Sequence, residues 1–178
     1  MPDLLNLPSD AVIRDEMQTP WFADCHSVMI AYQGQSALSL FLQMAAQTPA
    51  WIDGLMWVRN KLVSMFGLKD LGLLGALDSQ RIDTDYQIGE RVGIFTLAAN
   101  RFHEVLLCDN DKHLQVTLSI YVQAMGAQAM GHQARLYATT VVHTHNLLGR
   151  LYMLPVTPVH RLIVPRSLKT LAQSLDSM

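Results

Sequence analysis

The chain has 178 residues, half of them apolar and only 16% charged, with a formal net charge of −2. That length supports one domain with a substantial core, and the apolar excess has to fill a core, a lined cavity, a subunit interface or a membrane contact. The charge gives no electrostatic case for nucleic acid, "MPDLLNLPSD" lacks the pattern of a secretory signal, and no apolar run approaches the ~20 residues that span a bilayer. Two cysteines, Cys25 and Cys108, make no disulfide framework, so a reduced, cytoplasmic setting is expected.

Residues 1–22 contain Pro8 and Pro20 and read as a surface arm with a short helical turn; residues 23–178 read as a single domain. "DCHSVMIAY" (Asp24 to Tyr32) is a β-rich run and the predicted first strand, and Gly34 breaks it. A helix follows at about 35–47, where Leu38, Phe41, Leu42 and Ala45 share one face. A second helix starts at Thr48, a capping residue, with Pro49 in its first turn. Its stripe is Trp51, Leu55, Val58 and Leu62, and Gly67 is its stop. "GLKDLGLLGALDSQRIDTDYQIGER" is then a Gly-spotted connection. Its GLLG lacks the Lys-Ser/Thr and the preceding strand of a phosphate loop.

From Val92 the pattern becomes β, with predicted strands at about 92–99, 101–108, 113–124 and 134–145. In the third, Leu114, Val116, Leu118, Ile120 and Val122 alternate with His113, Gln115, Thr117, Ser119, Tyr121 and Gln123, which predicts a sheet with one dry and one wet face. In the fourth, Leu136, Ala138, Thr140 and Val142 share the dry face, and the odd-numbered residues, His143 and His145 included, share the wet one. After Asn146, a predicted cap, the period turns helical through "NLLGRLYML" and "VHRLIV" to "RSLKTLAQSL". Pro155 and Pro158 are expected to interrupt this helix, and Pro165 to kink it. Leu147, Leu151, Leu154, Leu162 and Ile163 are expected to cover the dry face. The order predicts an α+β helix-grip fold: a curved antiparallel sheet wrapped around a long, kinked C-terminal helix, with two shorter helices after the first strand.

Three blocks, "WIDGLMWVRNKLVSMFGLK" (51–69), "EVLLCDNDKHLQVTLSIYV" (104–122) and "VVHTHNLLGRLYMLPVTPVHRLIVP" (141–165), resemble a bacterial family classed as a domain of unknown function in the START-like, birch-pollen-allergen-like (SRPBCC) superfamily. The resemblance covers roughly 21–165 and implies the helix-grip fold. It implies no established activity. Members of that superfamily commonly bind lipids, sterols or other small apolar molecules, and some are enzymes. Similar domains also end NAD-binding, short-chain-dehydrogenase-like chains, but this sequence has no dinucleotide-binding Gly motif and would be a stand-alone form.

Three functional classes follow. The first is a ligand-binding protein whose partner is a small hydrophobic molecule or lipid, with no cofactor. Its hydrophobic cavity would be lined by Val105, Leu107, Val116, Leu118, Ile120, Ala138, Thr140 and Val142, with Leu151 and Leu154 from the helix. Arg59, His103 and Tyr152 would be polar anchors of the kind such pockets use. The same residues would equally serve a packed core.

The second class is a metal-dependent enzyme. "CDNDKH" reads as a tight hairpin with Asn110-Asp111 at its tip, so that Cys108 faces His113 and Glu104 faces Thr117. Pairing Gln123 with Arg135 then puts His113 opposite His145. Cys108, His113 and His145 would form one row, with His143 a step along. Cross-strand neighbours ~5 Å apart can converge on one zinc ion; the alternative is a solvent-facing polar row. Glu104, Asp109 and Asp111 read as turn formers and solvated charges, and Cys25 and His26, adjacent on a strand, face opposite ways and form no dyad. The third class is a non-catalytic interaction module that forms a homodimer. Arg150, Arg161, Arg166 and Lys169, with His160, give the last helix a basic side that suits either anionic lipid, a partner or plain solvation.

Overall fold

The computed structural model describes residues 7–47, 77, 80–126 and 133–177. The helix expected at 49–66, and Arg59 with it, lies outside the described residues. A 3-10 turn at Val12–Met17 leads into β1 (Phe22–Ala31), α1 (Ala37–Ala46), a second 3-10 turn (Asp83–Asp85), β2 (Arg91–Val92), β3 (Phe95–Asn100), β4 (Glu104–Asn110), β5 (Leu114–Ala124), β6 (Gln133–Thr144) and α2 (Leu147–Asp176). The strands form one antiparallel sheet in the order β1-β6-β5-β4-β3-β2.

The strand expected at 92–99 is two strands. Val92 pairs with Phe95 across a two-residue turn, and Gly93 there takes φ +60°, the left-handed conformation that such turns require. The β4–β5 hairpin keeps the expected residues on each side of the sheet but not the expected register: Cys108 faces Thr117 and Glu104 faces Tyr121. Asp111 is the reason. Its carboxylate accepts from the backbone N–H of His113 (2.6 Å) and of Leu114 (2.9 Å), and its own N–H bonds the Leu114 carbonyl. This Asx-type closure moves the loop centre to Lys112-His113. The shift is even, so the same residues stay on each face. The β5–β6 register is the expected one, with Gln123 opposite Arg135.

The inner, even-numbered face of β5 and β6 packs under α1 and the C-terminal half of α2. Leu38, Phe41 and Ala45 of α1 and Leu168, Leu171 and Leu175 of α2 meet Leu97, Leu107, Ile120, Leu136 and Ala138 of the sheet. Full burial of one such side chain stabilises by ~1.5–3 kcal/mol, so this cluster is the main source of stability.

The outer face is not wet. Leu7, Ala11 and Ile13 of the N-terminal arm cover Cys25, Leu106, Tyr121, Tyr137 and Val141. Ser119 and Thr139, expected in solvent, are fully buried. The arm is held by Glu104. Its carboxylate accepts from the Val12 N–H (Oε2, 2.6 Å), the Ile13 N–H (Oε1, 3.2 Å) and the Ser119 hydroxyl (Oε1, 2.8 Å). Those two amides open the 3-10 turn and have no partner within it. Glu104 is thus a buried cap and not a solvated charge, and Asp109 is buried as well.

Asn146 caps α2 as expected, its Oδ1 accepting from the Gly149 N–H at 3.1 Å. Gly149 is needed at that point: a Cβ there would sit 2.2 Å from the His113 carbonyl oxygen. The prolines do not interrupt the helix, which runs unbroken for 30 residues. All three lie on its exposed side, where each removes one N–H without clashing with the sheet. Leu147, Leu151, Leu154 and Leu162 also lie on that exposed side and do not cover the sheet. Met153 faces inward instead. Among the described residues, no helix is long and apolar enough to cross a membrane.

Candidate functional site

The inner face of β1 alternates as a buried strand should, with Phe22, Val28 and Ile30 turned toward the helices. Two polar residues interrupt it, Asp24 and His26. Asp24 is directly opposite Thr140 of β6, and His26 opposite Ala138, so all four share one face. α2 lays His160 over the Asp24–Thr140 pair. The imidazole Nδ1 is 3.2 Å from Asp24 Oδ2, and Nε2 is 3.1 Å from Thr140 Oγ1. A carboxylate only accepts, so Nδ1 carries a proton and a neutral ring offers Nε2 to the threonine hydroxyl. Phe22 fixes the ring from the side, edge-on at 5.7 Å between centroids, and the Arg161 guanidinium lies over the Phe22 ring, 5.6 Å from its centroid.

The cluster is incompletely satisfied. Asp24 is 1% exposed, yet its Oδ1 has no hydrogen-bond partner among the described residues. His26 Nε2 approaches Asp24 Oδ2 only to 3.5 Å and makes no hydrogen bond. A buried carboxylate without full pairing costs folding energy, so the arrangement is not explained by stability. Its edge meets solvent, since the side chains of His26 and His160 are each about a quarter exposed, while Asp24 Oδ1 and His26 Nε2 are themselves buried. Around Thr140, the register sets Leu118 across the strand pair and Ala138 and Val142 along it. Leu118 and Val116, in the middle of the sheet, remain only half-buried beneath α2, whereas Ile120 and Val122 further along β5 are sealed. Chemically, the site offers a carboxylate oxygen as acceptor, an imidazole nitrogen as donor and apolar surface beside both.

The expected lining residues divide. Val105, Leu107, Ile120, Ala138 and Val142 are buried on the inner face, with Val116 and Leu118 half-buried there and Thr140 inside the cluster. Leu151 and Leu154 point away from it, because α2 turns its Met153 and His160 side to the sheet. Tyr152 packs beside Met153, Phe22 and Val142. His103 is exposed in the β3–β4 turn; its backbone carbonyl accepts from the Val122 N–H, and its ring meets Phe102 edge-on at 5.1 Å between centroids.

The Cys/His row is not formed. Cys108 shares its row with Thr117 and Val141, four residues out of step with His113. Burial pushes the Cys108 thiol up from its ordinary value, which disfavours the thiolate a metal needs. The histidines turn to separate partners: His113 to the Asn146 amide (3.1 Å), His143 to the Glu16 carbonyl (2.8 Å) and His145 to Asn110 (3.2 Å). Among the described residues, no group of three His, Cys, Asp or Glu side chains is arranged to hold a metal ion.

Sequence reasoning missed Asp24 and His160 as site residues. The signal for the first was present: strand parity puts Asp24 and His26 on a face otherwise apolar. The second is 136 residues away, and no local pattern links the two. A family model, described as a protein of unknown function (DUF2867), matches residues 17–167. Comparison with curated proteins and with solved structures gave no match.

Proposed function

We propose that this chain, which belongs to the DUF2867 family of proteins of unknown function, binds a small, mostly apolar molecule between its sheet and α2. The observation that carries this is the Oδ1 of Asp24, a buried acceptor without a donor among the described residues. A ligand with a hydroxyl, amine or amide N–H on an apolar body would supply that donor. Its carbon would lie against Val116, Leu118, Ala138 and Val142. His26 and His160 would fix its head, and Tyr152 would flank it. The sheet-then-helix order, with the ligand beneath the helix, fits a helix-grip protein of the START-like superfamily, and that assignment is part of the proposal. A charge-assisted hydrogen bond in a partly dry site is roughly twice as strong as a neutral one, which suits Asp24 to an amine or hydroxyl.

The test uses N-phenyl-1-naphthylamine, an apolar dye with one N–H. Its fluorescence should rise saturably on titration with the protein, and Asp24→Ala should weaken binding by about tenfold, equivalent to ~1.4 kcal/mol. Native mass spectrometry of gently purified protein should show a co-purified organic mass. A dye that does not saturate, together with a clean unliganded chain, would remove the reading.

A second reading follows from the order Thr140, His160, Asp24, the hydroxyl–imidazole–carboxylate order of acyl-transfer enzymes. Here His160 would take a proton from Thr140 or from a bound molecule. Hydrolysis of p-nitrophenyl acetate above the background of free imidazole, lost in both Thr140→Val and His160→Gln, would support it. A rate unaffected by either substitution would leave only binding.

A further inference from the structure

The outer side of α2 is unlike the surface of an ordinary packed helix. Leu147, Leu151, Leu154, Pro158 and Leu162 recur at i, i+4, i+7, i+11 and i+15, which keeps them on one stripe. The four leucines are 69%, 53%, 61% and 46% exposed. The stripe runs about 22 Å along the helix at ~1.5 Å per residue. On the same stretch, the opposite side holds Met153 and His160 against the sheet. The N-terminal half of α2 is therefore apolar on both sides. A helix apolar all round is expected to be covered all round, and among the described residues only one side is.

Charge identifies the cover. Arg150 and Arg161 flank the stripe on one edge, and Arg166 follows on the other; all three are exposed. No Asp or Glu occurs between Leu147 and Leu175. A second copy docked symmetrically on this stripe would bring arginines near arginines with no carboxylate on the helix to pair them, a like-charge arrangement that opposes association. An apolar strip with arginines on its margins and no acid is instead the pattern of a helix lying in the plane of an anionic membrane. The prolines set the depth: each leaves a backbone carbonyl one turn earlier without its helical N–H. Such carbonyls need donors, which the headgroup layer has and the hydrocarbon lacks.

We propose that α2 docks this stripe on an anionic lipid surface, the leucines entering the boundary between headgroups and acyl chains and Arg150 and Arg161 meeting lipid phosphates. The leucines share no contact with the Asp24 cluster, whereas Arg161 also lies over Phe22 beside His160, so the leucine variant is the one that separates the two proposals.

The experiment is co-sedimentation of the full chain with vesicles of phosphatidylcholine, with and without phosphatidylglycerol. Expected is binding to the mixed vesicles that weakens with added salt, and little binding to phosphatidylcholine alone. Leu151→Glu with Leu154→Glu, and separately Arg150→Glu with Arg161→Glu, should each reduce it by about tenfold or more. Circular dichroism should report an unchanged fold for the leucine variant, whose sites are exposed. A wild-type chain that ignores the mixed vesicles overturns the proposal. So does equal binding to both vesicle types, which is plain apolar adsorption. A dimer that the leucine variant dissociates, with no vesicle binding, overturns it in favour of an interface between copies.

Discussion

Glu104 and Asp24 are buried carboxylates on opposite faces of the same sheet, 2% and 1% exposed. Glu104 receives three donors, two of them the amides that open the arm's 3-10 turn. Among the described residues, Asp24 receives one hydrogen bond, from His160, and its Oδ1 has no partner. The same chemical group thus closes one side of the molecule and leaves a vacant acceptor on the other. Full pairing is what a structural carboxylate requires. The proposed ligand would supply the donor that Asp24 lacks among the described residues.

The comparison is broken most directly at Glu104. Glu104→Ala orphans two backbone amides and a hydroxyl, and charged hydrogen bonds of this kind contribute about 1.5–3 kcal/mol each before relaxation. The expected loss is about 3 kcal/mol in urea denaturation, and the arm should become sensitive to protease between Leu7 and Met17. A loss under about 1 kcal/mol with a protected arm would mean that Glu104 does not hold the arm.

A smaller effect is expected at Tyr121, on the same outer face. Its hydroxyl donates to Asp10 at 2.9 Å. Burial first, then this bond and the nearby negative charge, push its pKa up to about 12. An unfolded tyrosine ionises near pH ~10, so the folded state favours the neutral phenol. Its contribution is complete below pH ~10 and is lost as pH rises through about 12. Near-ultraviolet absorbance should show a tyrosine phase at about pH 12, with Tyr32 also raised by burial. Tyr121→Phe should remove that phase and cost about 1 kcal/mol at neutral pH. A late phase that survives the substitution assigns it to another tyrosine.

The strands were legible because alternation in β5 is nearly unbroken, and Asn146 was legible as a cap because the period changes there. The β4–β5 register was not, because Asp111 closes a longer loop than its neighbours suggest. The covered outer face was hidden for a different reason. Leu7, Ala11 and Ile13 belong to an arm with no regular period, and nothing local says that it folds back on Tyr121 and Val141. The phase of α2 was illegible because leucines lie on both of its sides, so periodicity alone could not choose between Leu151 and Met153. Asp24 could be read as a polar break in β1, but its meeting with His160 depends on that same phase.

The smallest expected effect is the most informative one. Asp24→Asn keeps the shape of the side chain and an oxygen to accept from His160 Nδ1, while removing a buried charge and replacing the open acceptor. Stability should change by less than about 1 kcal/mol, and in either direction, since exchanging a poorly paired buried ion for a neutral isostere is often neutral or favourable. Set beside Glu104→Gln, which keeps its shape equally well but leaves a full set of donors with a weaker acceptor, the pair gives a direct contrast. Glu104→Gln should lose stability and Asp24→Asn should not, while N-phenyl-1-naphthylamine binding should weaken only in Asp24→Asn. If Asp24→Asn destabilises the chain as much as Glu104→Gln and leaves dye binding intact, then Asp24 is a second structural clasp, tying α2 to β1 as Glu104 ties the arm to β4.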